Sequence, residues 1–136
     1  MQLAGGVCDA DECAVTVLAS VVSHQPGAGH AVVDAGALAL SKDPGPHDSA
    51  LARGLGPVLT GLAGHVLDPR LQVLGVSQEH GLVGAFAPRD VEGRLAIGEK
   101  LRILPNHSCL TAALFDRYHV VRGEEVVDEW TIWRRR

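Results

Sequence analysis

Hydrophobic positions in this chain fall into short, valine-rich runs broken by glycine and proline, without the sustained three-four spacing of amphipathic helices. Residues Cys13 to Ser23 (CAVTVLASVVS) form a nearly continuous apolar run that stops at Gln25-Pro26-Gly27. The valine content and that stop predict a buried strand rather than a helix. Ala31 to Asp34 predicts a second strand, ended by Ala35-Gly36, whereas the acidic Asp9-Ala10-Asp11-Glu12 before the first reads as a loop. Residues 41 to 57 carry Pro44-Gly45-Pro46 and Gly54-Leu55-Gly56-Pro57 and predict a long loop.

Leu71 to Ser77 alternates as a strand should, with Gly81 to Phe86 as its hairpin partner across Gln78-Glu79-His80. Between Val91 and Pro105 a Gly98-Glu99-Lys100 turn feeds another strand, and Cys109 to Leu114 allows one helical turn. Tyr118 to Arg122 and Glu125 to Trp133 predict a hairpin around Arg122-Gly123-Glu124. Seven or eight short strands with little helix give a mainly β fold. The expectation is a small antiparallel β-sandwich or barrel with one or two short helical turns.

Composition narrows this picture. A chain of 136 residues is one domain's worth, so residues 1–136 are expected to share one core. Sixteen acidic against twelve basic residues give a formal charge of −4, which removes the electrostatic footprint of a nucleic-acid binder. Arg134-Arg135-Arg136 reads as a solvated charged end. Apolar runs stop short of the roughly 18–20 residues that span a bilayer, so no membrane is implied. The start, Met1-Gln2-Leu3-Ala4-Gly5-Gly6, lacks the basic region of a signal peptide, and three cysteines without framework spacing suit a reducing compartment. A cytoplasmic location is expected. Aromatics make up only 4%, and Trp130 and Trp133 both lie near the C-terminus, a distribution that suits a domain leaning on a partner.

The densest chemistry lies in Pro105-Asn106-His107-Ser108-Cys109-Leu110-Thr111. If the backbone is extended there, side chains at i and i+2 leave the same face. His107 and Cys109 would then form a nitrogen–sulfur claw, which suits Zn²⁺ better than Mg²⁺ or Ca²⁺. Two ligands are fewer than a structural zinc site uses, but they leave positions open, as a catalytic metal requires. The plain alternative is a packed cysteine beside a hydrogen-bonded histidine.

Other candidates are weaker. Asp34 at a strand end is a site carboxylate or a turn residue. Gln78, Glu79 and His80 form either a hairpin turn or a site wall with acid–base capacity. Lys42 reads as an exposed loop residue, because a Schiff-base amine wants a desolvated pocket. Cys8 and Cys13 read as core or surface thiols. Gly54-Leu55-Gly56 and Gly61-Leu62-Ala63-Gly64 match neither a dinucleotide fingerprint nor a phosphate loop.

In order, Cys13 to Val22, Val33 to Asp43, Ser77 to Gly81, Pro105 to Cys109 and Tyr118 to Val121 together resemble the C-terminal domain of the D-serine dehydratase/D-threonine aldolase family. The resemblance runs through essentially the whole chain. It implies a fold-type III enzyme, related in architecture to alanine racemase, with an N-terminal barrel that carries pyridoxal phosphate on a lysine. It further implies a C-terminal β-domain that bears a divalent metal. His107 and Cys109 match the family's metal ligands, and a cysteine second ligand implies zinc and a dehydratase-like site. Asp34, Gln78, Glu79, His80 and Asn106 would line or support that site.

The substrate implied is a D-amino acid with a β-hydroxyl. D-Serine would be dehydrated to pyruvate and ammonia, or D-threonine cleaved by a retro-aldol reaction. The barrel and its lysine have no counterpart in these residues, so a separate barrel domain or subunit is the expected partner, with a homodimer as a further expectation. A non-catalytic β-module kept for binding or oligomerisation is the competing reading. A structural zinc module completed by His80 and His119 is a third.

Overall fold

Alternation along the valine runs decides which side of each strand enters the core. In the computed structural model, residues 3, 5–24, 27–45, 54–60, 66–85 and 95–133 are described. After a 3₁₀ turn at Ala10–Glu12, the strands are β1 (Val17–His24), β2 (His30–Val33), β3 (Pro57–Thr60), β4 (Val66–Val76), β5 (Gly81–Gly84), β6 (Lys100–Ile103), β7 (Arg117–Arg122) and β8 (Glu125–Thr131). Two short helices, α1 (Ala37–Leu40) and α2 (Ser108–Ala112), interrupt them.

Strands β1-β2-β5-β4-β3-β6 close into an antiparallel barrel, so no strand of it keeps an open edge. Val17, Ala19 and Val21 of β1 point inward with Ala31, Val33, Val73, Val83, Leu101 and Ile103, all buried. The period is two, as the pleat requires. Each fully buried Val, Leu or Ile contributes about 1.5–3 kcal/mol relative to exposure. The run at Cys13–Ser23 is therefore buried on one side only: Leu18 and Val22 face outward, 57% and 43% exposed. A barrel strand has a single inner face, and the continuous apolar run concealed that.

β3 falls where a loop was expected up to residue 57 and nothing was assigned beyond it. Pro57 hid it. Proline has no N–H to donate, but it is tolerated as the first residue of a strand, and there it begins β3 against Gln72. Phe86, Gly61 to Gly64, Val91 to Arg94 and Arg134 to Arg136, which figured in the expectations above, lie outside the described residues.

β7 and β8 pair only with each other, Tyr118 opposite Trp130 and His119 opposite Glu129, with Gly123 turning at φ 64°. Arg102 of β6 reaches this hairpin, donating from a guanidinium nitrogen to the Gly123 carbonyl at 3.2 Å. Among the described residues no helix is long and apolar enough to cross a membrane.

Antiparallel closure has one consequence for chemistry. The N-terminal ends of β1, β3 and β5 and the C-terminal ends of β2, β4 and β6 share one mouth of the barrel. The segments 34–43, 77–80 and 104–107 all leave the barrel there, although more than sixty residues of sequence separate the outermost of them.

Candidate metal centre

The chain leaves β6 through the buried Leu104 and enters α2 at His107, which has an extended conformation (φ −134°, ψ 93°) and caps the helix. The His107 carbonyl accepts the Thr111 N–H at 3.2 Å. The helix begins at Ser108, so Cys109 lies in its first turn. The premise of a fully extended claw therefore fails after His107, and the same-face argument for i and i+2 does not apply. Cys109 is exposed with a free thiol, and His107 is half-buried.

His107 is held by a residue the sequence reading passed over. Its Nδ1 lies 2.5 Å from Asp43 Oδ2. An ionised carboxylate can only accept, so the hydrogen sits on Nδ1, and in the neutral imidazole the lone pair is left on Nε2. This carboxylate–imidazole pairing is the arrangement that orients metal-ligating histidines. With Asp43 and His107 side chains about a third exposed, the contact acts more through geometry than through Coulomb energy.

Asn106, 7% exposed, holds the same neighbour from the next position along. Its amide donates to the Asp43 carbonyl at 3.3 Å and to the Gly54 carbonyl at 2.9 Å, tying together three segments that converge on the barrel mouth. Asn106 therefore acts as a clasp. Ser41 shapes the approach to Asp43 from the other side, with φ 66° and ψ −177° and its Oγ accepting the Asp43 N–H at 3.3 Å. Thr111 of α2, buried, donates to the Leu40 carbonyl of α1 at 3.4 Å, so the helices that flank the contact are joined as well.

The remaining candidates are placed otherwise. Asp34 extends the β1–β2 ladder: its Oδ1 accepts the Ser20 N–H at 2.6 Å, and its own N–H donates to the Ser20 carbonyl. Gln78, Glu79 and His80 are exposed in the β4–β5 turn. That turn works through its backbone, since the Ser77 and Gln78 carbonyls accept the first N–H groups of α1 at 2.8 and 3.1 Å. Lys42 is exposed. His119 pairs with Glu129 at 3.0 Å on the separate hairpin.

The four-ligand zinc module with His80 and His119 is not assembled. Among the described residues, no three of His, Cys, Asp and Glu gather closely enough to hold a metal ion. An imidazole nitrogen and a cysteine sulfur are donor types that suit a borderline-soft ion, and His107 and Cys109 place one of each two positions apart in sequence. Asp43 escaped notice because its role depends on a contact spanning 64 residues; the signal available was the carboxylate at Ser41-Lys42-Asp43, overshadowed by Lys42.

A family described as the putative serine dehydratase domain matches residues 14–121. The chain is 40% identical over 128 residues to D-threo-3-hydroxyaspartate dehydratase of Delftia sp., covering 92% of this chain and 33% of that protein. It is 37% identical over 131 residues to D-serine dehydratase of Dictyostelium discoideum, covering 93% and 31%. The chain thus spans about one third of the length of these dehydratases. An uncharacterized protein of Mycobacterium tuberculosis is 35% identical over 137 residues, with 98% and 92% covered. Among solved structures, a histidine-to-alanine mutant of D-threo-3-hydroxyaspartate dehydratase superposes with TM-score 0.84 at 36% identity, covering 96% of this chain and 34% of that one. A cysteine-to-alanine mutant of the same enzyme, in its metal-free form, gives TM-score 0.81 at 38% identity, covering 93% and 34%. The mutated histidine and cysteine stand two positions apart in that enzyme.

Proposed function

Because this chain belongs to the serine dehydratase domain family and corresponds to the C-terminal domain of its dehydratases, we propose that it is the metal-bearing part of a pyridoxal-phosphate-dependent lyase acting on β-hydroxy D-amino acids. The observation that carries this reading is the Asp43–His107 contact, which leaves His107 Nε2 available two positions before the Cys109 thiol. The same histidine–cysteine spacing in the mutated relatives, one of them metal-free, supports it.

In this reading His107 Nε2 and Cys109 Sγ hold the ion, and zinc is the ion their chemistry suits. Asp43 fixes the imidazole's tautomer and rotation, and Asn106 fixes Asp43. When bound, the metal supplies Lewis acidity toward the substrate's β-hydroxyl, and pyridoxal phosphate supplies an electron sink. No lysine here is suited to carry that cofactor: Lys42 is exposed, and the Lys100 ammonium donates to Ser20 Oγ on the outside of the barrel. The cofactor is therefore assigned to a barrel domain or subunit other than these residues. Dehydration of D-serine or of a β-hydroxylated relative is favoured over retro-aldol cleavage, in keeping with the dehydratases among the relatives. Gln78, Glu79 and His80 would meet the partner or substrate at the rim of the mouth.

Purified chain should contain about one equivalent of zinc, and His107→Ala should lose it. Absence of bound metal in the parent chain would overturn the proposal. The second reading is a non-catalytic β-module; the mycobacterial relative, 92% of whose length aligns with this chain, consists of little more than this domain. Co-expression with a barrel half from a related dehydratase separates the two, since pyruvate formation from D-serine is expected only under the first.

A further inference from the structure

Cys8 and Cys13 take no part in the site above, yet their sulfur atoms lie 3.7 Å apart. The local sequence explains the approach. The 3₁₀ turn Ala10–Glu12 reverses the chain between them, with the Asp9 N–H donating to Glu12 Oε2 at 2.8 Å and the Cys13 N–H to the Ala10 carbonyl at 3.2 Å. A disulfide needs the sulfurs about 2.0 Å apart, so closure asks for a small displacement within a turn that already faces the two side chains together. Both thiols are half-buried, open enough for a small reagent to reach them. A soft-metal site is the weaker use of this pair, because among the described residues no third ligand completes one.

We propose that Cys8 and Cys13 form a dithiol that closes to an intrachain disulfide by exchange with a low-molecular-weight disulfide such as oxidised glutathione. The thiolate of one cysteine attacks the external S–S bond, forming a mixed disulfide and releasing one glutathione thiolate. The other cysteine, as its thiolate, then attacks the protein-side sulfur of that mixed disulfide and expels the second glutathione. Two protein thiols are oxidised, one external disulfide is reduced to two thiols, and two protons pass to solvent or to the released thiolates. Burial raises the Cys13 pKa from its ordinary value, with the Cys8 hydrogen bond adding to it, so closure is slow near neutrality and quickens as pH rises. The bond would clamp the segment that enters β1 at the same barrel mouth as His107.

The test equilibrates the full chain carrying Cys109→Ser with mixtures of reduced and oxidised glutathione. Free thiols are counted, and unreduced digests are mapped by mass spectrometry. The expected result is loss of both thiols together with a Cys8–Cys13 cross-linked peptide. Cys8→Ser should instead leave a glutathione adduct on Cys13. Glu12→Ala, which removes the carboxylate from the turn, should lower the closure equilibrium constant about fivefold, the size of one lost cap. Independent glutathione adducts at both positions, or cross-linked dimers in place of the intrachain bond, would overturn the proposal.

Discussion

His107 Nδ1 and Asp43 Oδ2 stand 2.5 Å apart although 64 residues separate them in sequence. The barrel's closure brings them together: β2 and β6 end at the same mouth, and Asn106 holds the Asp43 backbone beside the histidine. The first prediction concerns this pair. Asp43→Ala should weaken zinc binding about 10–100-fold, as loss of a histidine-orienting carboxylate generally does. Asp43→Asn keeps an acceptor oxygen and should weaken it less. Isothermal titration with zinc checks both, and equal affinities in all three proteins would show that the contact does not orient a ligand.

The second prediction isolates the clasp. Asn106→Ala leaves the Gly54 and Asp43 carbonyls without its amide in a buried position. Such a loss costs about 1–3 kcal/mol of stability. Urea unfolding should show it as a lower midpoint with an unchanged slope, since the surface exposed on unfolding barely changes. A midpoint equal to that of the parent chain would mean that the clasp carries no weight.

The strands were legible in the sequence wherever valine alternation met a glycine or proline stop. β1, β2, β5 and the β7–β8 hairpin fall within a few residues of their expected places, and Cys109 to Leu114 does contain a helical turn. β3 was hidden by Pro57, and the early part of β4 by Asp68-Pro69, because proline reads as a breaker when pairing partners are unknown. The site was half legible. The side-chain chemistry of His107 and Cys109 is visible in any order of residues, but the expected extended claw ignored that Ser108 starts a helix. Asp43 was invisible as a partner because no local rule brings residues 43 and 107 together; only barrel closure does.

Close packing behind the turn at residues 77–80 gives the third prediction. A Cβ on Gly36 would lie 2.4 Å from His80 N and 2.5 Å from the Gln78 carbonyl oxygen, both backbone atoms that cannot swing aside. Gly36→Ala must therefore push the turn away from α1 and disturb the bonds from Ala37 and Leu38 to the Ser77 and Gln78 carbonyls. Overpacking of this kind costs roughly 1–3 kcal/mol. Thermal unfolding of Gly36→Ala should fall below that of the parent, and amide exchange at Ala37 and Leu38 should quicken. Slow exchange at both, with a lower midpoint, would place the strain elsewhere.

The last prediction separates stability from binding at one residue. Ser41 has φ 66° with ψ −177°, a region that glycine occupies almost alone, and it lies two residues before Asp43. Such a conformation costs a side-chain-bearing residue about 1–3 kcal/mol. Ser41→Gly removes that strain, against an unfolded-state penalty of roughly 0.4–1 kcal/mol for the freer chain. The variant should therefore unfold at higher urea. It also loses the Ser41 Oγ that accepts the Asp43 N–H, so Asp43 should be held less firmly and zinc should bind several-fold more weakly. Strain kept at Ser41 would then serve to aim the carboxylate at His107. A variant that is both more stable and equally tight for zinc would show that the strain has no part in that aim, and one that is less stable would show that the strain is not stored at Ser41.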